Sequence, residues 1–238
     1  MTFTEHLREL RKRLLISLAT VFGLGVVMFI PSPYVIDFLK NAYFHNVQLH
    51  AFGPADAILA EFKFSIYAAI VLGLPVLLYQ LWMFVVPAFH PRTRRLVYVY
   101  IAPSFFLALA GLAFAHFIVL PRIVGTLIAV TNHIATPTFG IESTINFILL
   151  IFLAFALIFQ TPIVMVALAR IGVINSAFLK RSRKYFLFGF FVFGAIVAPD
   201  GNPLTMALMA LPMYILYEVG LWIIVLLEKS WRLEASRA

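Results

Sequence analysis

Apolar positions in this chain run in long unbroken blocks and do not alternate with polar ones. Residues 14–36, 64–91, 96–121 and 143–169 each contain no Asp, Glu, Lys or Arg. Each block exceeds the roughly 20 residues that carry a helix across a bilayer core. Two further blocks follow at 185–199 and 203–227, the second interrupted only by Glu218. Helices satisfy their own backbone groups in lipid, and the period-two pattern of barrel strands is missing. The pattern predicts an all-α membrane protein with six transmembrane helices at about 14–30, 64–86, 97–120, 144–168, 178–198 and 203–227. All six belong to one integral membrane domain covering residues 1–238, without internal repeats or a soluble domain.

Breakers and lengths refine these elements. Pro31 and Pro33 stop the first span. In the segment 31–61, "YVIDFLKNAYF" has helical apolar spacing, and "GPADAILAEFKF" places Pro54 where a first helical turn tolerates it. The expectation is two short helices forming a periplasmic cap. Segment 121–142, between the third and fourth spans, is polar and Thr-rich. Residues 185–198 make only about 21 Å of helix against a core of about 30 Å. The fifth span therefore has to begin near Phe178, with Lys180, Arg181, Arg183 and Lys184 snorkelling to the interface, or the bilayer has to thin. Pro75, Pro103, Pro162 and Pro212 lie inside spans and favour kinks.

Composition agrees with this pattern. The chain of 238 residues is 63% hydrophobic and 12% charged, with a mean hydropathy of +1.00. A soluble domain carries roughly twice that charged fraction. Orientation follows from the basic residues: 15 of the 18 Lys and Arg fall in the N-terminus, the 86–95 and 168–184 loops and the C-terminal tail. Only Lys40, Lys63 and Arg122 lie on the other side. Short Lys/Arg-rich loops stay in the cytoplasm, so both termini are expected there. Split among four flanks, these cations do not make a nucleic-acid surface. The first apolar block is too long for a cleavable signal peptide, and "PSPY" follows it in place of small residues. With no cysteine there is no disulfide framework and no thiolate metal site.

Polar groups inside lipid are costly and mark function. Glu218 lies deep in the sixth span beside Tyr214 and Tyr217; a tyrosine hydroxyl satisfying it is the alternative reading. Gln160, followed by Thr161 and Pro162, lies inside the fourth span, where a helix–helix hydrogen bond would also account for it. His116 reads as interfacial, and Asp200 could simply cap the "APDGNP" turn. No HExxH, GxSxG, Walker motif or intramembrane aspartate pair is present, which speaks against an enzyme or a nucleotide-driven pump.

Six segments then carry a resemblance. "HLRELRKRLL" (6–15), "LPVLLYQLWMFVVPAF" (74–89), "RRLV" (94–97), "FAHFIVLP" (114–121), "FQTPIV" (159–164) and "APD" (198–200) with "LPMYILYEVG" (211–220) stand in the order and spacing of the TatC family. That family is the multi-spanning receptor subunit of the twin-arginine protein translocase. The resemblance implies a concave, glove-like six-helix bundle in the cytoplasmic membrane, with no cofactor and no enzymatic activity. It implies binding of twin-arginine signal peptides at the cytoplasmic face and assembly with TatA- and TatB-type single-span subunits and other TatC copies. Folded cargo would cross at the expense of the proton-motive force.

The resemblance also distributes roles. Glu9 would bind the cargo's arginine pair, since carboxylate and guanidinium make a charge-assisted, often bidentate contact. Lys12 and Arg13, at i+3 and i+4, are equally placed to pair with Glu9 internally. Arg11, Gln80, Arg92, Thr93 and Arg94 would complete the signal-peptide site. Here the loop reads "PAFHPRTRR", so Thr93 stands where the family pattern has a glutamate. Glu9 then carries more of the recognition, or Glu5 contributes, or specificity relaxes. Gln160, where the family commonly has glutamate, and Asp200 would face the concave pocket. Met206, Met213, Tyr214, Tyr217 and Glu218 would dock a TatA/TatB helix. A secondary transporter or channel for a small solute is the alternative, disfavoured by the lack of inverted repeats and the near-absence of midplane charges.

Overall fold

The structure, a computed structural model, describes residues 3–44, 47–85, 94–134, 136, 138–170, 172–197 and 203–236. Nine α-helices and two very short strands appear among the described residues: α1 (Phe3–Phe29), α2 (Ser32–Tyr43), β1 (Leu49–His50), α3 (Asp56–Val85), α4 (Arg94–Phe114), α5 (Leu120–Ile134), β2 (Phe139–Gly140), α6 (Ile141–Ile158), α7 (Thr161–Arg170), α8 (Ser176–Val197) and α9 (Pro203–Ser236). Five stretches among them are long and apolar enough to cross a membrane: Leu7–Phe29, Asp56–Leu81, Ile101–His133, Ile141–Arg170 and Met209–Lys229. The protein is thus a multi-pass helical membrane protein. Helix α8 is also long, at 22 residues, but its four cations, Lys180, Arg181, Arg183 and Lys184, keep it outside that set.

Two segments expected to stand apart are continuous with their neighbours. Residues 56–63 open α3 directly, because no Gly or Pro separates them from the apolar run after Phe64. Residues 120–134, most of them in the polar outer segment, are the helix α5. Leu120, Ile123, Val124, Leu127 and Ile128 have helical spacing; the first three are at most 2% exposed, and the other two pack on the same core. A π-helical turn, Ala115–Val119, joins α4 to α5. The Ile101–His133 stretch has 33 residues, about 50 Å of helix, so its end projects beyond a core of about 30 Å.

The main core gathers α2, α3, the π turn, α5 and α6 around Leu39, Phe64, Leu120, Ile148 and Phe155. Gly111 lets α4 lie against α6, since a Cβ there would fall 2.6 Å from the Phe155 carbonyl oxygen. At the α2 end, Lys63 pairs with Glu142, and β1 and β2 pair in parallel through Leu49–Phe139 and His50–Gly140. Tyr43 places its hydroxyl 2.6 Å from His116 Nδ1, tying α2 to the π turn, and burial pushes its phenol above its ordinary pKa. Helix α1 is different: it lies along α3, yet none of its described side chains is buried.

Candidate functional site

Three polar clusters collect most of the residues singled out by sequence. The first joins α1 to α3. Arg13 donates from Nε to Glu9 Oε1 at 2.9 Å and from Nη2 to the same oxygen at 2.5 Å. Its third arm, Nη1, donates to Gln80 Oε1 on α3 at 2.8 Å. Gln80 is 7% exposed, whereas the Arg13 and Glu9 side chains are 14% and 26% exposed. Spacing explains the first contact, since i and i+4 share a helix face. The contact to Gln80 exists only because α1 lies along α3. Arg11 is exposed on α1, and Arg94 opens α4. Arg92 and Thr93 lie outside the described residues.

The second cluster is the break between α6 and α7. The Gln160 N–H donates to the Leu157 carbonyl at 3.0 Å, a tighter turn than the α-helix makes. The Ala156 carbonyl, freed of that backbone partner, accepts the Gln160 side-chain Nε2 at 3.3 Å. Pro162 has no N–H to offer the Ile158 carbonyl, which accepts the Thr161 hydroxyl at 2.5 Å. "QTP" therefore builds a helix break whose open carbonyls are satisfied by its own side chains. Gln160 Nε2 also donates to the Ser104 carbonyl of α4 at 3.0 Å. The side chain is 3% exposed, and its Oε1 is buried with no hydrogen-bond partner. Asp200 lies outside the described residues.

The third cluster holds α8 against α9. Leu179, Arg183, Phe186, Phe190 and Gly194 recur at helical spacing and form the α9-facing stripe of α8. Asn175 caps the helix, its Oδ1 accepting the Phe178 N–H at 2.7 Å. Tyr217 is 0% exposed and donates its hydroxyl to the Leu179 carbonyl at 2.7 Å, with the Phe186 ring 4.7 Å away. Arg183 Nη2 donates to Glu218 Oε2 at 2.7 Å; the other Glu218 oxygen is buried without a partner. A Cβ at Gly194 would come within 2.8 Å of the Met206 carbonyl oxygen, so the helices meet closely there. Met213 is buried and Met206 half-buried. Tyr214 and Glu218, with Ile215, Val219 and Trp222 of α9, line an open groove of about 390 Å³.

Of the two arginines that pair with acids in these clusters, Arg13 is signalled by its i+4 spacing from Glu9. Arg183, 35 residues from Glu218, carries no local signal beyond being one of four cations at the start of α8.

The Sec-independent protein translocase protein (TatC) family matches residues 5–212. The Sec-independent protein translocase protein TatC of Aquifex aeolicus (strain VF5) is 37% identical over 229 residues, 94% of either chain. The corresponding protein TatCy of Bacillus subtilis (strain 168) is 33% identical over 225 residues, 94% of this chain and 88% of its own. A crystal structure of a twin arginine translocase receptor, TatC, superposes with a TM-score of 0.79 at 35% identity, covering 93% of this chain and 98% of that one. A second crystal structure of that receptor, in DDM, gives a TM-score of 0.81 at 35% identity over 92% of this chain and 99% of that one. Matched along most of its length in sequence and in fold, this chain belongs to the TatC family of Sec-independent protein translocase proteins.

Proposed function

We propose that this chain is the signal-peptide receptor of a twin-arginine translocase, and that it reads the arginine pair of its cargo through Glu9. The supporting observation is the Glu9 carboxylate, which already holds the Arg13 guanidinium in two hydrogen bonds, while Gln80 on α3 holds that guanidinium's third arm. A carboxylate in that setting favours the planar guanidinium over an ammonium. Arg11, Arg92, Thr93 and Arg94 complete the site in this reading. Membership of a protein-translocase family makes the chain a transport component and not an enzyme, and it removes the small-solute transporter alternative.

In this reading α8 is a sixth span, both termini are cytoplasmic, and the bundle is a concave glove in the cytoplasmic membrane. The basic flanks support that orientation. Gln160 and Asp200 belong to the concave side. TatA- and TatB-type helices dock on α8 and α9 through the Tyr214 and Glu218 groove, with Met206, Met213 and Tyr217 setting its shape from behind, and further TatC copies join the complex. The proton-motive force drives transport.

The test is binding of a fluorescent signal peptide carrying an arginine pair to the purified chain in lipid nanodiscs, against a lysine-pair control. A clear preference for the arginine peptide is expected, and equal recovery of both overturns the receptor reading. The sequence contains no cysteine, so single cysteines at positions 4, 41 and 230 report topology by labelling. Positions 4 and 230 should react from one side and 41 from the other.

A further inference from the structure

We infer that Arg13 is a built-in placeholder for the cargo arginine: it occupies the Glu9 carboxylate in the unloaded receptor and is displaced when a signal peptide binds. This rests on the receptor reading above and adds a competitor inside the same site.

Geometry carries the inference. Both Arg13 donors to Glu9 converge on one oxygen, Oε1, at 2.9 and 2.5 Å. The stronger arrangement between these groups is the fork, in which two N–H bonds run in parallel to the two carboxylate oxygens. An incoming guanidinium free of the i,i+4 tether is able to adopt that fork, so exchange replaces a constrained contact with a better one.

Release of Arg13 is also cheap on the protein's side. Its Nη1 keeps Gln80 Oε1 as an acceptor, so the displaced guanidinium is not left bare. Glu9, at 26% exposure, is reachable from outside, while Arg13, at 14%, is the more enclosed partner. The acid faces outward and the resident base sits behind it, the order expected of a site that exchanges one cation for another. Until cargo arrives, the resident guanidinium keeps Glu9 from pairing with stray cations among its basic neighbours Arg8, Arg11 and Lys12.

A competitor has a distinctive thermodynamic signature. Any cargo must displace Arg13 at the same cost, so removing it strengthens binding of every peptide by one factor and leaves the preference for arginine over lysine unchanged. A residue that touches cargo or braces the site does the opposite on removal. The experiment measures nanodisc binding of the arginine-pair and lysine-pair peptides for four proteins: wild type, Arg13→Gln, Arg13→Lys and the charge control Arg8→Gln. Arg13→Gln should tighten both peptides about fivefold, from the worth of a partly exposed ion pair, with the arginine-to-lysine ratio kept. Arg13→Lys, which keeps the charge and loses the planar donors, should tighten both about twofold. Adding Glu9→Gln to Arg13→Gln should erase the gain, because no carboxylate remains to be freed. Unchanged or weaker binding in both Arg13 variants overturns the placeholder, as does an equal gain in Arg8→Gln, which would mark a bulk charge effect. Equal binding of the two peptides by wild type overturns the receptor reading instead, and the placeholder with it.

Discussion

Two arginine–carboxylate pairs in this molecule have the same chemistry and opposite constructions. Glu9 and Arg13 are four residues apart on α1, a helix with no buried side chain among its described residues. Glu218 and Arg183 are 35 residues apart on α9 and α8, helices locked together by the buried Tyr217 and the Gly194 contact. In the first pair the arginine is the enclosed partner, and in the second the arginine, at 45%, is more exposed than its acid at 21%. An acid presented outward on a loosely packed helix suits exchange with a ligand. An acid drawn inward and bonded to the neighbouring helix suits a fixed cross-helix tie.

This contrast is open to direct attack. The largest effect is expected at Glu9. Glu9→Ala should weaken arginine-peptide binding by roughly 10- to 100-fold, the worth of a charge-assisted contact, and leave the thermal midpoint of the purified chain nearly unmoved. Intact peptide crosslinking in that variant would place recognition elsewhere. At the second pair the order of effects should reverse. Arg183→Ala strands the Glu218 carboxylate and should cost about 1 kcal/mol of stability, well below the value for a fully buried pair because Arg183 is half in solvent. Arg183→Ala with Glu218→Gln should recover most of that loss in a thermal-unfolding cycle; no recovery would show that the two groups are not coupled. The smallest effect is expected at the cytoplasmic loop. Thr93→Glu restores the acid of the family pattern and should tighten arginine-peptide binding about two- to threefold through added local charge, measured on the same nanodiscs. Binding indifferent to this change would mean that the loop does not face the peptide.

Legibility in the sequence follows the range of the interaction. The apolar blocks, the Pro31 stop and the motif order lie within local windows, so helix positions and the family were readable without coordinates. The helix at 120–134 is masked in the sequence by its threonines and histidine, although an apolar i, i+3, i+4 spacing buries Leu120, Ile123 and Val124. The break at Gln160 was half-legible: Pro162 announces a lost hydrogen bond, but not that Thr161 and Gln160 satisfy the carbonyls it leaves. Tyr217 carries a docking role only through the family resemblance, and its side chain is 0% exposed. Its hydroxyl contact is internal, to the Leu179 carbonyl.

The sequence by itself determined that the chain lives in a membrane, where its long helices fall, and that Glu9 and Arg13 share a helix face, because hydropathy and the 3.6-residue period are properties of neighbouring residues. Only the tertiary structure decided that Gln80 holds the third arm of Arg13, that Gln160 reaches Ser104, and that Glu218 finds Arg183. Those partners are 67, 56 and 35 residues apart, and nothing in a local window says which helix will pack on which. In lipid that choice is made by close approach at small residues and by polar groups seeking partners. The small residues are visible in the chain, while the partners they bring within reach are not.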